Sequence, residues 1–229
     1  MSIFVLKIIA YISMCIDHTF KLFPEMENYI TVFLGRLAFP IFCFGIVEGY
    51  IHTKNLKKYI KRLFVLGLIS QIPYSLYLKV AGFTNINIIV IPFTLLLGLI
   101  AVIVFDKEEN IKKKFFLIIS FILISIIFNF DYSYFGILLI LILYVFRNKK
   151  ILRNVLSILL IVIKYSFKLE MFKNNFTFEM ILFIGEISGI LLLNLYNGKK
   201  GKYSKLSKIF YYIYPLQFFI LMGIKFLIK

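Results

Sequence analysis

Polar side chains break this chain at nearly regular intervals. Between the breaks lie nine apolar runs, residues 3–21, 29–51, 59–78, 87–105, 115–130, 132–146, 151–166, 178–196 and 209–228. A helix rising about 1.5 Å per residue needs about 20 such residues to cross roughly 30 Å of hydrocarbon. Most of the runs meet that length. Those at 115–130, 132–146 and 151–166 fall short, so they tilt little, extend into their flanks or include a re-entrant piece. The pattern predicts an all-α polytopic transmembrane bundle of about nine spans, a single domain over residues 1–229. No soluble domain or linker remains between the runs, and the internal repeat of many transporters is missing.

Composition removes the soluble alternative. Hydrophobic residues make up 61% of the chain and charged ones 17%, with a mean hydropathy of +0.92. A soluble fold has too little interior to hide that much apolar side chain, because its surface must stay mostly polar. A net charge of +16 could serve nucleic acid if it formed one patch. Here Lys and Arg flank the apolar runs, as topology signals do. Membrane lipid, not nucleic acid, is therefore the expected partner. Cys15 and Cys43 lie inside apolar runs, where a free thiol behaves as a small hydrophobe. The first run continues past Asp17 without a small-residue cleavage site, so a span is expected there and not a signal peptide.

The loop charges give an orientation. Alternate loops hold Lys54, Lys57, Lys58, Lys61 and Arg62, then Lys107, Lys112, Lys113 and Lys114, then Arg147, Lys149, Lys150 and Arg153, then Lys199, Lys200, Lys202, Lys205 and Lys208. The other side holds only Lys21, Lys79, Lys164, Lys168, Lys173, Lys225 and Lys229. Basic residues concentrate on cytoplasmic loops, so the N-terminus is expected in the cytoplasm and the C-terminus beyond the cytoplasmic membrane. An even number of spans would break the alternation.

Ionisable groups at membrane depth are costly and are usually functional or paired. Asp17 and His18 fall near the outer end of the first run, and Arg36 about two turns into the second. A short outer loop, residues 22–28, separates them. Neighbours on a helix point roughly 100° apart, so Asp17 and His18 do not naturally bond each other. Two readings stay open: His18 as general base with Arg36 as electrostatic clamp, or a structural ion pair at the interface. Glu48 and His52 share a helix face near the inner end of the second run. The chain has two histidines, His18 and His52, at opposite membrane faces, so a zinc site using both is excluded and no metal is expected. Gly45 and Gly49 read as a close-packing pair. Pro40, Pro73, Pro92 and Pro215 fall within runs and hint at a cavity that satisfies the freed carbonyls. Asn197, Gly198, Lys199, Lys200 and Lys202 lie in a glycine-containing basic turn. It is either a membrane anchor or a place for phosphate, and it lacks the spacing of a P-loop.

Together these motifs resemble one family. Lys7-Ile-Ile-Ala10, Met14-Cys-Ile-Asp17-His18, Gly35-Arg36-Leu-Ala-Phe39-Pro40 and Glu48-Gly-Tyr-Ile-His52-Thr-Lys-Asn55 look like the TraX family. So do Ser70-Gln-Ile-Pro73, Asn87, Thr94-Leu-Leu-Leu-Gly98, Tyr134-Phe-Gly136, the 196–199 loop and Tyr214-Pro215-Leu. The resemblance implies a transmembrane acyltransferase that uses acetyl-CoA as acyl donor and co-substrate. The acceptor is an amine or hydroxyl on a pilin-like peptide, a glycan or a small molecule. It implies roles for His18 with Asp17, for Arg36, and for Glu48 and His52, with Asn87, Thr94, Tyr134 and Tyr214 as supporting polar residues. The basic turn, with Asn197, Gly198, Lys199, Lys200 and Lys202, is then expected to hold the acyl-CoA phosphates. Direct transfer and a route through acetyl-His18 both fit. Where the family pattern has His after Tyr-Pro-Leu, this chain has Gln217, which cannot take up a proton. A small transporter or flippase, or a non-catalytic membrane subunit, are the rivals from other classes.

The loop bias carries the first test. A reporter joined after Lys229 is expected to read extracytoplasmic, and one placed within residues 199–205 cytoplasmic. The same side for both would overturn the nine-span alternation.

Overall fold

The computed structural model describes residues 1–167, 175–202 and 209–228. Lys168, Lys173, Lys205, Lys208 and Lys229, counted above among the loop charges, lie outside the described residues. The helices are α1 (Ile3–Leu22), α2 (Tyr29–Arg36), α3 (Ala38–His52), α4 (Leu56–Val80), α5 (Ile91–Lys107), α6 (Ile111–Ile127), α7 (Ser133–Val145), α8 (Lys150–Ser166), α9 (Phe176–Leu192) and α10 (Phe210–Ile228). The polar breaks start them. Asn28, Asn55 and Asn110 cap α2, α4 and α6, each side chain accepting from a backbone N–H of the first turn. Counting α2 and α3 as one, there are nine helical stretches among the described residues, one for each apolar run. Five are long and apolar enough to cross a membrane: Ile3–Leu22, Tyr29–His52, Leu56–Val80, Phe176–Leu195 and Phe210–Ile228. The protein is an all-helical membrane protein. Outward-facing apolar side chains such as Ile72, Phe116, Ile127 and Leu227 are well exposed, as lipid contact requires. The central α3 buries Phe39, Ile41, Cys43 and Val47 against α5 and α7.

Several local departures from the periodic pattern build the interior. The run at 29–51 is two helices joined at Leu37, because Pro40 has no N–H for the carbonyl four residues earlier. Residues 87–90 are not helical. Ile89 instead makes an isolated β-bridge with Phe130, and α5 begins at Ile91. Pro92 therefore sits in the first turn, where its missing N–H costs nothing. It does not kink a span. Gln71 of α4 holds this extended piece, its amide donating to the Ile88 carbonyl at 2.9 Å and accepting from the Val90 N–H at 3.0 Å.

Glycines set close approaches, and of the pair expected Gly49 is one of them, a Cβ there running into the Tyr59 hydroxyl. A Cβ at Gly185 of α9 would lie 2.8 Å from both the Arg36 Cβ and the Phe33 carbonyl, and one at Gly189 would lie 3.0 Å from Pro40. Gly185 and Gly189 thus seat α9 on the α2–α3 joint. Gly45 meets only the Lys7 side chain, at 4.0 Å.

Four hydrogen bonds gather the basic loops at one end. Tyr50 and Tyr144 both donate to Asp106, the Tyr196 hydroxyl donates to Glu48 at 2.5 Å, and the Ile3 N–H donates to the Lys199 carbonyl at 3.0 Å.

Gly185→Val should wedge α9 from the joint and cost about 1–3 kcal/mol, read as a lowered melting temperature in detergent. Gly223→Ala, whose new Cβ meets nothing within 4 Å, should leave it unchanged.

Candidate functional site

At the end opposite the basic loops, α1 to α5, α8 and α9 surround a cavity of about 330 Å³. Most of the charge on its wall is matched by an opposite charge. Asp17 lies between two cations, one carboxylate oxygen against the Arg36 guanidinium and the other 2.5 Å from the Lys21 ammonium, one turn along α1. Gly35 permits this contact, since a Cβ there would stand 2.8 Å from the Asp17 Cβ. Lys164 of α8 pairs with Glu186 of α9 at 2.5 Å and lies over the ring of Phe135, 4.4 Å from its centroid. Charges taken out of water are tolerable only when paired and hydrogen-bonded. Arg36 adds a bond to the Tyr132 hydroxyl at 3.4 Å.

His18, adjacent in sequence to Asp17, takes no part in the ion pairs. It is 5% exposed and packed against Phe218 and Tyr77, with ring centroids 4.9 and 5.5 Å away. Its carbonyl accepts from the Tyr77 hydroxyl at 2.7 Å. Nδ1 is buried, which leaves Nε2 as the nitrogen able to meet a guest in the cavity.

The remaining polar wall comes from a strained turn. Asn129, Tyr132 and Ser133 hold φ of 52°, 58° and 35°, a region that costs a non-glycine residue on the order of 1–3 kcal/mol. Surrounding contacts over-determine it. The Asp131 N–H donates to the Ile89 carbonyl at 2.8 Å, the Thr94 hydroxyl donates to the Asp131 carbonyl at 2.5 Å, and Tyr132 stacks on Phe39 at 3.6 Å. The result aims the Asp131 carboxylate and the Tyr132 ring into the cavity. Asp131 accepts from the Tyr74 hydroxyl at 3.0 Å. Burial pushes its carboxyl above the ordinary carboxylate range, against the pull of Lys21.

A second cavity, of about 360 Å³, lies at the basic end with Lys7, Lys54, Arg62 and Lys200 on its wall, beside Glu48 and His52. A smaller one of about 90 Å³ lies between the two and shares wall residues with each. It has Lys7, Gly45, Tyr59 and Tyr211 in common with the basic cavity and Phe42 in common with the opposite one. Tyr11 constricts it, stacked on Phe210 at 4.3 Å and edge-on to Phe42 at 5.1 Å.

The family model described as TraX protein matches residues 2–225. The chain belongs to the TraX family. It is also 33% identical over 128 residues to a probable fimbrial assembly protein FimC, serogroup H1, of Dichelobacter nodosus. That match covers 52% of this chain and 52% of the relative, so the chain spans about half the length of the curated relative it matches. No solved structure matches.

The TraX-family marks separate into two ends. Asp17, His18 and Arg36 converge on one cavity, while Glu48 and His52 sit together at the basic end, 3.3 Å apart. Glu48 takes no basic partner from the next loop; His52 and the Tyr196 hydroxyl occupy it. Thr94 braces the turn from behind. Tyr134 is half-buried in the core, Tyr214 packs edge-on to Phe218, and neither is on the wall of the three cavities above. Asn87 does not belong to the site. It is exposed, in the extended stretch before α5, because Gln71 and the Phe130 bridge hold that backbone out of the helix. Of the basic turn, Lys200 alone reaches the basic cavity. Asn197 and Lys199 are instead tied to the start of α1, the Asn197 N–H donating to the Met1 carbonyl at 2.9 Å, while Gly198 faces open space and Lys202 is not on the cavity wall. Reading the sequence missed Lys7, Arg62, Tyr77, Asp131, Tyr132, Lys164 and Glu186. Lys7 and Lys164 carried a usable signal, as cations within or beside apolar runs.

Removing one partner of a buried ion pair strands the other. Asp17→Asn should cost about 3–5 kcal/mol, while Asp17→Asn with Arg36→Gln should lose markedly less than the sum. Additive losses in a thermal-melting cycle would show that the two side chains are not energetically coupled.

Proposed function

We propose that this TraX-family protein is an acyl-CoA-dependent transmembrane acyltransferase, with acetyl-CoA as donor and an amine or hydroxyl as acceptor. The observation that carries the reading is the string of cavities from the basic end to His18. Lys7 and His18 are eleven residues apart on one helix, about 17 Å along its axis. Lys7, Lys54, Arg62 and Lys200 supply positive charge for nucleotide phosphates, and the neck beside Tyr11 and Phe42 suits a thin, flexible pantetheine arm. The basic end is taken as cytoplasmic on the loop bias, with nine spans in the cytoplasmic membrane and the C-terminus outside. The fimbrial assembly name of the relative makes a fimbrial subunit one candidate acceptor.

In the reaction, the acceptor's lone pair attacks the thioester carbonyl. His18 Nε2 takes the acceptor proton as the new bond forms. The carbon–sulfur bond then breaks, and the thiolate recovers that proton to leave as CoA. Arg36 offers positive charge to the oxygen that gains electron density, while Asp17 keeps it in place. No covalent enzyme intermediate is required.

Purified protein with radiolabelled acetyl-CoA should bind it or hydrolyse it slowly. His18→Ala should lower transfer by about two to four decades with donor binding retained. Lys7→Ala and Arg62→Ala should raise the acetyl-CoA concentration needed, and Lys199→Ala should have little effect. Wild-type turnover in folded His18→Ala would remove the catalytic assignment. No donor binding at all would hand the cavities to a transported solute instead.

A further inference from the structure

Gln217 of α10 stands beside His18, yet cannot share its chemistry. It is 6% exposed, its amide oxygen accepts from the Cys15 thiol at 3.3 Å, and its amide nitrogen is buried with no hydrogen-bond partner. Cys15 precedes His18 by three residues on α1, so the two side chains share a helix face toward α10. The next residue of α10, Phe218, packs on the imidazole itself. His18 Nδ1 is likewise buried and without a partner. Two adjacent buried polar side chains each lack one bond, and buried polar atoms are almost always satisfied.

An amide can present either end to a neighbour, because its oxygen and nitrogen are nearly equal in shape. A half-turn would let the Gln217 nitrogen donate to the Cys15 sulfur and the oxygen accept from Nδ1–H. Both missing bonds would then be made. This is also the only pairing compatible with a proton arriving on Nε2, since an amide N–H facing an imidazolium would set two donors against each other. We propose that Gln217 is the positioning residue of His18, its carbonyl oxygen holding the proton on Nδ1 so that Nε2 faces the cavity unprotonated. This rests on the general-base reading above. It also accounts for a glutamine in place of the family's histidine: orienting an imidazole needs an acceptor, and an acceptor need not titrate.

The tautomer can be read directly without turnover. His52→Gln leaves His18 as the sole histidine, so the full chain in lipid nanodiscs, labelled with ring-15N histidine, gives one imidazole's signals. The expected spectrum has Nδ1 protonated and Nε2 unprotonated. Gln217→Leu should mix the tautomers or move the proton to Nε2. With His52 intact, it should lower kcat at least about tenfold, as when a histidine base loses its orienting partner, with the KM for acetyl-CoA within about twofold. Gln217→Glu keeps an acceptor oxygen at the same reach and should restore the Nδ1–H tautomer. A wild-type proton on Nε2, or a Gln217→Leu spectrum unchanged from wild type, would overturn the assignment. If the tautomer obeys Gln217 while folded His18→Ala still turns over, the transferase mechanism fails and the positioning contact stands.

Discussion

A carboxylate and a guanidinium that have both left water meet where α1 crosses the joint of α2 and α3, and much of the molecule serves that meeting. Asp17 cannot reach Arg36 unless Gly35 lets the two helices touch. Arg36 cannot turn inward unless the helix breaks at Leu37, and that break follows from Pro40. Gly185 seals the far side of the joint with α9. Lys21 takes the second carboxylate oxygen of Asp17 and the Tyr132 hydroxyl a second nitrogen of Arg36, while the Arg36 Nε is buried without a partner. In a low dielectric such a pair is tolerated only when its surroundings complete it. Four parts of the chain are therefore committed to one interaction.

That commitment frees His18. Neighbouring residues on a helix diverge by about 100°, so pinning Asp17 toward Arg36 turns His18 toward Tyr77, Phe218 and Gln217. The histidine thus stands apart from the ion pairs of a charged wall. Its surroundings are rings and an amide, which fix its orientation. The turn at Asn129, Tyr132 and Ser133 completes the wall from the opposite side, and its left-handed residues persist because Ile89, Thr94 and Phe39 leave it no alternative.

How much of this was legible in the chain follows from range. Apolar runs and polar breaks are local, so each run became a helix with its boundary within a few residues, and the Asn caps lie in the breaks. Asp17, His18 and Arg36 could be grouped because only six residues separate their helices. Glu186 and Lys164 could not: their pairing depends on α8 and α9 closing around the site, and nothing local announces it. Tyr132 looked like the start of a span, when its backbone is the hinge of a strained turn. Asn87 was misread because apolar character extends upstream of α5, while the helix itself is set by Gln71 clamping the backbone. Of the basic turn only part could be placed from the chain. Its charges were visible, but the hydrogen bonds tying Asn197 and Lys199 to the start of α1 are not encoded by composition.

The neck formed by Tyr11, Phe42 and Phe210 has a consequence for the cell as a whole. A protein with polar chambers at both ends of its bundle endangers the ion gradients its membrane maintains. Water and protons pass along continuous hydrogen-bonded files, and such a file must be broken somewhere. Here the small cavity between the chambers is walled mostly by apolar and aromatic side chains, and its Tyr11 hydroxyl is already given to the Phe210 carbonyl at 3.0 Å. The neck leaves little for a hydrated ion to hold. A narrowing that would let one slender chain through would also keep the membrane electrically tight when nothing occupies it.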